Sequence, residues 1–253
     1  MSSAPTGRDP VGSHRGFFRV KGSMSRGGEQ QVDVYVEAGS KRTFAAAIEW
    51  PGCCRSGRDE AGALAALVEY GPRYEAAAGA SVRGFSAPRA SALTVVERLH
   101  GNATTDFGAP SVAPAADARP VDAAQLERLL KLLGACWDAF DGAVDDAAGR
   151  ELRKGPRGGG REVDGIVEHV VGAEAMYVTR LAAKGPNVEG RDQRDAAAAV
   201  RDVVRGTLRR AVTEGLPSAG PRGGKIWLPR YMVRRAAWHV LDHAWEIQDR
   251  STI

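Results

Sequence analysis

Apolar and polar positions alternate from Val32 to Ile48: Val32, Val34 and Val36 share one direction, and after the turn-prone Gly39-Ser40-Lys41 come Phe44, Ala46 and Ile48. A period of two predicts a β-hairpin with one buried face. The stretch Trp50 to Gly57, opening on Pro51-Gly52, is expected to break the strand. Asp59 can cap a following helix with Leu64, Leu67 and Val68 on one side, and Gly71-Pro72 should weaken that helix. Leu93-Thr94-Val95-Val96 reads as another short strand. Residues 1–16 are polar, Gly-rich and aperiodic, which predicts a flexible tail.

Residues 108–119 have linker composition, rich in Pro, Ala and Ser, and beyond them the period becomes helical. Asp122 with Gln125 resembles a capping box, and Leu126, Leu129, Leu133, Trp137, Phe140 and Val144 follow at helical spacing. A second helix is expected over about 161–183, with Ile166, Val170, Ala173 and Tyr177 as its stripe. A third covers about 195–213, with Val200, Val203, Val204, Leu208 and Val212. A fourth runs from Pro229 to about Arg250, with Val233, Ala237, Val240, Ala244 and Ile247. The expected architecture is two domains: a small α+β unit of antiparallel strands plus a helix over 17–107, and an all-α up-and-down four-helix bundle over 120–253.

Composition narrows the function classes. No run approaches the roughly 20 apolar residues of a membrane span, and the first residues lack the apolar core of a secretory signal, so a cytoplasmic protein is expected. The three cysteines, Cys53, Cys54 and Cys136, form neither a disulfide framework nor a zinc-site spacing. The net charge of +4 is too small to argue for nucleic acid. Arg150, Arg153, Lys154, Arg157 and Arg161 crowd one Gly-rich stretch, and Arg222, Lys225, Arg230, Arg234 and Arg235 another; solvated loops would account for both.

Histidine spacing carries the chemistry. Of five histidines, His239 and His243 stand four apart, so both imidazoles share one helix face and can reach one ion. His169 lies beside the apolar stripe of the second helix and should also face inward. If neighbouring helices alternate in direction, the second and fourth are parallel, and His169 and His239 both lie roughly 12 to 14 Å from the same end. Three neutral imidazoles suit a divalent ion, zinc first and nickel, iron or copper as alternatives, and leave a position open for water or substrate. Glu246, on nearly the same face, is the candidate catalytic group: a fourth ligand, a general base or an acceptor for an imidazole N–H, with a salt bridge to Arg250 as the plain alternative. Asp242 points to one side of the pair. Trp238 and Trp245 could line either a homodimer interface or the pocket.

The segment Arg234-Arg235-Ala236-Ala237-Trp238-His239-Val240-Leu241-Asp242-His243-Ala244-Trp245-Glu246, with His169 upstream, resembles the DinB/YfiT superfamily of four-helix metal proteins. The resemblance covers roughly residues 120–250 and implies metal-ligand roles for His169, His239 and His243. It implies a thiol-dependent transferase, with a low-molecular-weight thiol of the mycothiol type as co-substrate, or a hydrolase that activates water. The loops over 150–161 and 214–230 are then expected at the end nearest the histidines, where Arg157, Arg161, Arg222 and Lys225 would select an anionic thiol or other small-molecule substrate.

The order strand, strand, Pro51-Gly52-Cys53, Gly57, then Glu60-Ala61 opening a helix is similar to HicB-like antitoxin domains over about residues 30–100. No DNA-binding segment of the kind those antitoxins carry follows it. The alternative to an enzyme is therefore a binding or regulatory protein whose HicB-like part holds a partner while a metal stabilises the helices.

Overall fold

The computed structural model describes residues 31–154, 160–220 and 224–251. The expected tail over 1–16 lies outside the described residues, as do Arg157 and Arg222. Among the described residues the N-terminal part holds a sheet of four strands, β1 (Val32–Ala38), β2 (Thr43–Ala47), β3 (Cys54–Gly57) and β4 (Leu93–His100), in the order β3-β2-β1-β4. The expected hairpin is β1–β2, with Val34 opposite Ala47 and Val36 opposite Ala45.

Two features of the sheet differ from the sequence expectation. Trp50 to Gly57 does not simply break the strand: Gly52 turns with φ of 92°, Cys53 N–H donates to the Trp50 carbonyl at 3.0 Å, and the chain returns as β3. The sheet is also mixed rather than antiparallel, because β4 pairs parallel to β1. Helices α1 (Glu60–Glu69) and α2 (Gly71–Ala77) lie in the connection from β3 to β4 and give it the length a return in the same direction requires. Asp59 caps α1 by accepting from Gly62 N–H at 2.8 Å, and Pro72 stands in the first turn of α2.

The hairpin buries both faces, not one. Val32, Val34, Val36, Ala45 and Ala47 join the main core, whereas Tyr35, Phe44, Ala46 and Ile48 pack with Cys54 and Trp238 on the other side. The continuous apolar run from Phe44 to Ile48 is the pattern of a strand covered on two sides. The main core continues from the sheet into the helices without interruption, through Leu67, Tyr74, Leu129, Leu133 and Leu241.

The C-terminal part is helical: after the short α3 (Ala103–Phe107) come α4 (Ala123–Asp146), α5 (Val163–Thr179), α6 (Gln193–Thr213) and α7 (Pro229–Ser251). Asp122 and Gln125 form the expected capping box on α4. None of the described helices is long and apolar enough to cross a membrane. Helix α7 is buried along most of its length between α4, α5 and the sheet.

Helix directions depart from strict alternation. Arg194 of α6 pairs with Asp145 near the end of α4, and Gln193 donates to the Asp164 carbonyl at the start of α5 at 3.2 Å. Arg230 at the start of α7 reaches Gln125 at the start of α4 at 2.7 Å, and Arg250 near its end reaches the Arg161 carbonyl just before α5 at 2.7 Å. Thus α4 and α7 run one way and α5 and α6 the other. Residues 180–192 must travel back along the helices, so the second and fourth helices are antiparallel rather than parallel.

The stretch 108–119, expected as a linker, is tied down. Buried Glu37 of β1 accepts from Thr105 Oγ1 at 2.5 Å, Ser111 N–H at 2.9 Å and Val112 N–H at 3.1 Å. Buried Asp117 pairs with Arg234 of α7, whose guanidinium also donates to the Ala47 and Ile48 carbonyls at 2.8 Å each. One arginine thereby joins strand, connecting turn and helix.

Candidate metal centre

His169 projects from α5 and His239 and His243 from α7, and their ring centroids lie 4.7 to 5.0 Å apart. One nitrogen from each ring can be chosen so that all three lie within 4.8 Å of one another. The level depth arises differently from the expectation: α5 enters at the end where α7 leaves, so His169 lies six residues from that end and His243 eight. His239 is buried and the other two rings are half-buried.

Electrostatics favour the neutral forms of His239 and His169. Burial, then the neighbouring His243, pushes His239 down to about 2, and the same two causes lower His169. Glu246 sits 2.7 Å from His243 Nδ1, and its other oxygen accepts from Arg250 at 2.9 Å. The hydrogen bond to His243 holds this carboxyl below its usual range despite partial burial. A carboxylate at that position accepts, so Nδ1 of His243 is the donor and Nε2 is the nitrogen left as a possible ligand atom.

Three imidazole nitrogens are ligands of the kind a divalent ion takes, and one pair already has the spacing. His169 Nε2 and His239 Nε2 face each other at 3.2 Å, and two nitrogens about 2.05 Å from a tetrahedral ion are roughly 3.3 Å apart. Nδ1 of His239 is buried with no hydrogen-bond partner among the described residues, so that ring's polar engagement is through Nε2 alone. Tyr177 and Trp238 stand 6.0 and 6.1 Å from the His239 ring, and Trp227 packs on Tyr177 at 5.1 Å. His239 thus has aromatic rings on its buried side.

The other expected residues disperse. Arg161 borders the site, its carbonyl held by Arg250 and its charge helping to lower His169. Lys225 does not join it: Trp227 N–H donates to the Arg180 carbonyl at 2.8 Å, which puts the 224–228 segment at the opposite end of α5. A single cationic rim over the histidines is therefore not formed by the described residues. Asp242 pairs with Arg55 at 3.0 Å. Trp238 and Trp245 dock the N-terminal part, on Phe44 at 6.0 Å and Tyr70 at 5.3 Å. Burial raises the Cys53 thiol to about 12 and raises Cys54 and Cys136 as well, so all three stay protonated and unreactive.

Glu174 escaped the sequence reading, and Arg235 entered it only as one of a basic cluster. Glu174 is fully buried, continues the four-residue stripe of Ile166 and Val170, and accepts from Trp137 Nε1 at 2.5 Å. Arg235 stands four residues before His239 and lies over the Trp238 ring at 4.6 Å. In both cases helical spacing was the available signal. No protein-family model matches this chain, and no curated protein or solved structure does either.

Proposed function

We propose that the protein is a metal-dependent enzyme of the DinB/YfiT kind. In this reading four helices form a metal-binding bundle, and a HicB-like α+β unit is built onto it. The observation that carries the reading is the convergence of His169, His239 and His243, with one ligand nitrogen from each within 4.8 Å. Held by three neutral imidazoles, a divalent ion, zinc first, would supply Lewis acidity at a remaining position to a thiol or a water molecule. The chain's residues supply the rest. Glu246 orients His243 through Nδ1, and Arg250 in turn fixes Glu246, so the catalytic role first expected of Glu246 becomes one of positioning. The rings of Tyr177, Trp227 and Trp238 keep the surroundings apolar, which strengthens every charge interaction at the site. Transfer of a low-molecular-weight thiol or hydrolysis is the reaction class proposed.

Elemental analysis of the purified protein, before and after zinc reconstitution, tests this beside a His239→Ala variant. About one ion per chain in the native protein, lost in the variant while helix content and cooperative unfolding persist, supports an open site. An ion whose loss unfolds the chain points instead to the stabilising metal of a binding protein. No bound ion after reconstitution ends the proposal.

A further inference from the structure

Helix α7 carries Arg230, Arg234 and Arg235 within six residues, and the three are treated differently by their surroundings. Arg230 donates to the carbonyls of Arg119 and Pro120 at 3.2 and 3.0 Å and to Gln125 at 2.7 Å. Arg234 has Asp117 at 2.7 and 2.9 Å besides two carbonyls. Arg235 donates to none of the described residues, although its Nη1 is buried. What it has are ring faces, Trp238 at 4.6 Å and Tyr177 at 5.6 Å from the guanidinium carbon. Ring faces attract the charge but leave the buried Nη1 donor without an acceptor, and such a donor is costly.

Those same two rings stand 6.0 and 6.1 Å from the His239 ring, so the unpaired guanidinium and the histidine cluster share a wall. Glu246, the carboxylate beside the cluster, has one oxygen on His243 and the other on Arg250 and stands about three turns along α7 from Arg235. Arg161 adds positive charge beside His169, while the imidazoles add no negative charge. The local balance calls for an anion, and the planar fork of arginine matches the two oxygens of a carboxylate.

We propose that Arg235, flanked by Tyr177 and Trp238, binds the carboxylate of a small ligand whose other end reaches the three histidines. The second half of that statement rests on the metal-centre reading above; the carboxylate site does not.

The test uses cobalt(II)-loaded full-length protein titrated with 3-mercaptopropionate and with its neutral counterpart 3-mercaptopropanol, followed by the sulfur-to-cobalt charge-transfer band. The native protein should prefer the carboxylate by on the order of tenfold. Arg235→Gln should bring the ratio to about one with cobalt stoichiometry unchanged, and Arg235→Lys, which keeps charge but not the fork, should fall between. A second titration follows the tryptophan fluorescence of metal-free protein with benzoate. Saturable binding that Arg235→Gln abolishes, in a protein that takes up no cobalt, would sink the metal reading and keep the carboxylate site. Equal ligand ratios in native and Arg235→Gln proteins, or no carboxylate binding to the native protein in either form, overturns the proposal.

Discussion

Nδ1 of His243 lies 2.7 Å from the Glu246 carboxylate, one turn further along α7, and that carboxylate is itself held by Arg250 at 2.9 Å. The relay fixes the tautomer of His243 from a distance of two side chains. Removing the acceptor by Glu246→Ala frees the ring to rotate, so metal affinity should fall by about 10- to 100-fold. Competition with a chromophoric chelator measures it. Native affinity in the variant would mean that Glu246 orients nothing.

Arg234 and Asp117 make the buried ion pair that joins the helices to the 108–119 stretch, at 2.7 Å with the aspartate fully buried. Arg234→Ala leaves that carboxylate without its cation and should cost about 3–5 kcal/mol. The combined change Arg234→Met with Asp117→Asn removes both charges and should recover much of the loss. Urea unfolding decides: equal midpoints for native protein and Arg234→Ala would show that the pair contributes nothing.

Burial of Glu174, against the opposing hydrogen bond from Trp137, raises its carboxyl from 4.5 to about 7. The folded chain therefore keeps a proton that the unfolded chain releases. Stability from this group is complete below pH 4.5 and is lost as pH rises through 7. Glu174→Gln keeps an acceptor for Trp137 and removes the titration. Its gain over the native protein should grow from near zero at pH 4 to as much as roughly 3 kcal/mol at pH 8. A stability difference independent of pH would mean that the carboxyl is ionised in the fold throughout.

Gly57 closes β3 where α1 crosses it, and a Cβ there would fall 2.3 Å from Ala63 N and 2.4 Å from the Gly62 carbonyl carbon. Backbone cannot step aside as a side chain can, so Gly57→Ala should destabilise the fold by about 1–3 kcal/mol. Thermal unfolding should show the lowered midpoint, whereas Gly142→Ala, whose Cβ meets nothing, should not lower it.

Much of the local structure was legible without coordinates. Asp59 and the Asp122–Gln125 box set helix starts by satisfying N–H groups within three residues, and such contacts depend on sequence neighbours alone. The same holds for His239 and His243, placed on one face by a four-residue step. The stripes of α4 to α7 were readable because a period of 3.6 needs only one apolar partner surface.

What the sequence could not decide is which elements meet, because burial and pairing between distant segments leave no fixed spacing. The alternation of β1 and β2 did not say that Trp238 would cover the second face. A row of arginines on α7 resembled a solvated surface until Asp117, 117 residues away, was brought to Arg234. The helix directions followed from the length of the 180–192 connection and the pairing of Arg194 with Asp145, not from the periods themselves. The three histidines show the division plainly. Two were placed together by the helix, and the third reached them only because antiparallel packing of α5 on α7 set His169 Nε2 at 3.2 Å from His239 Nε2.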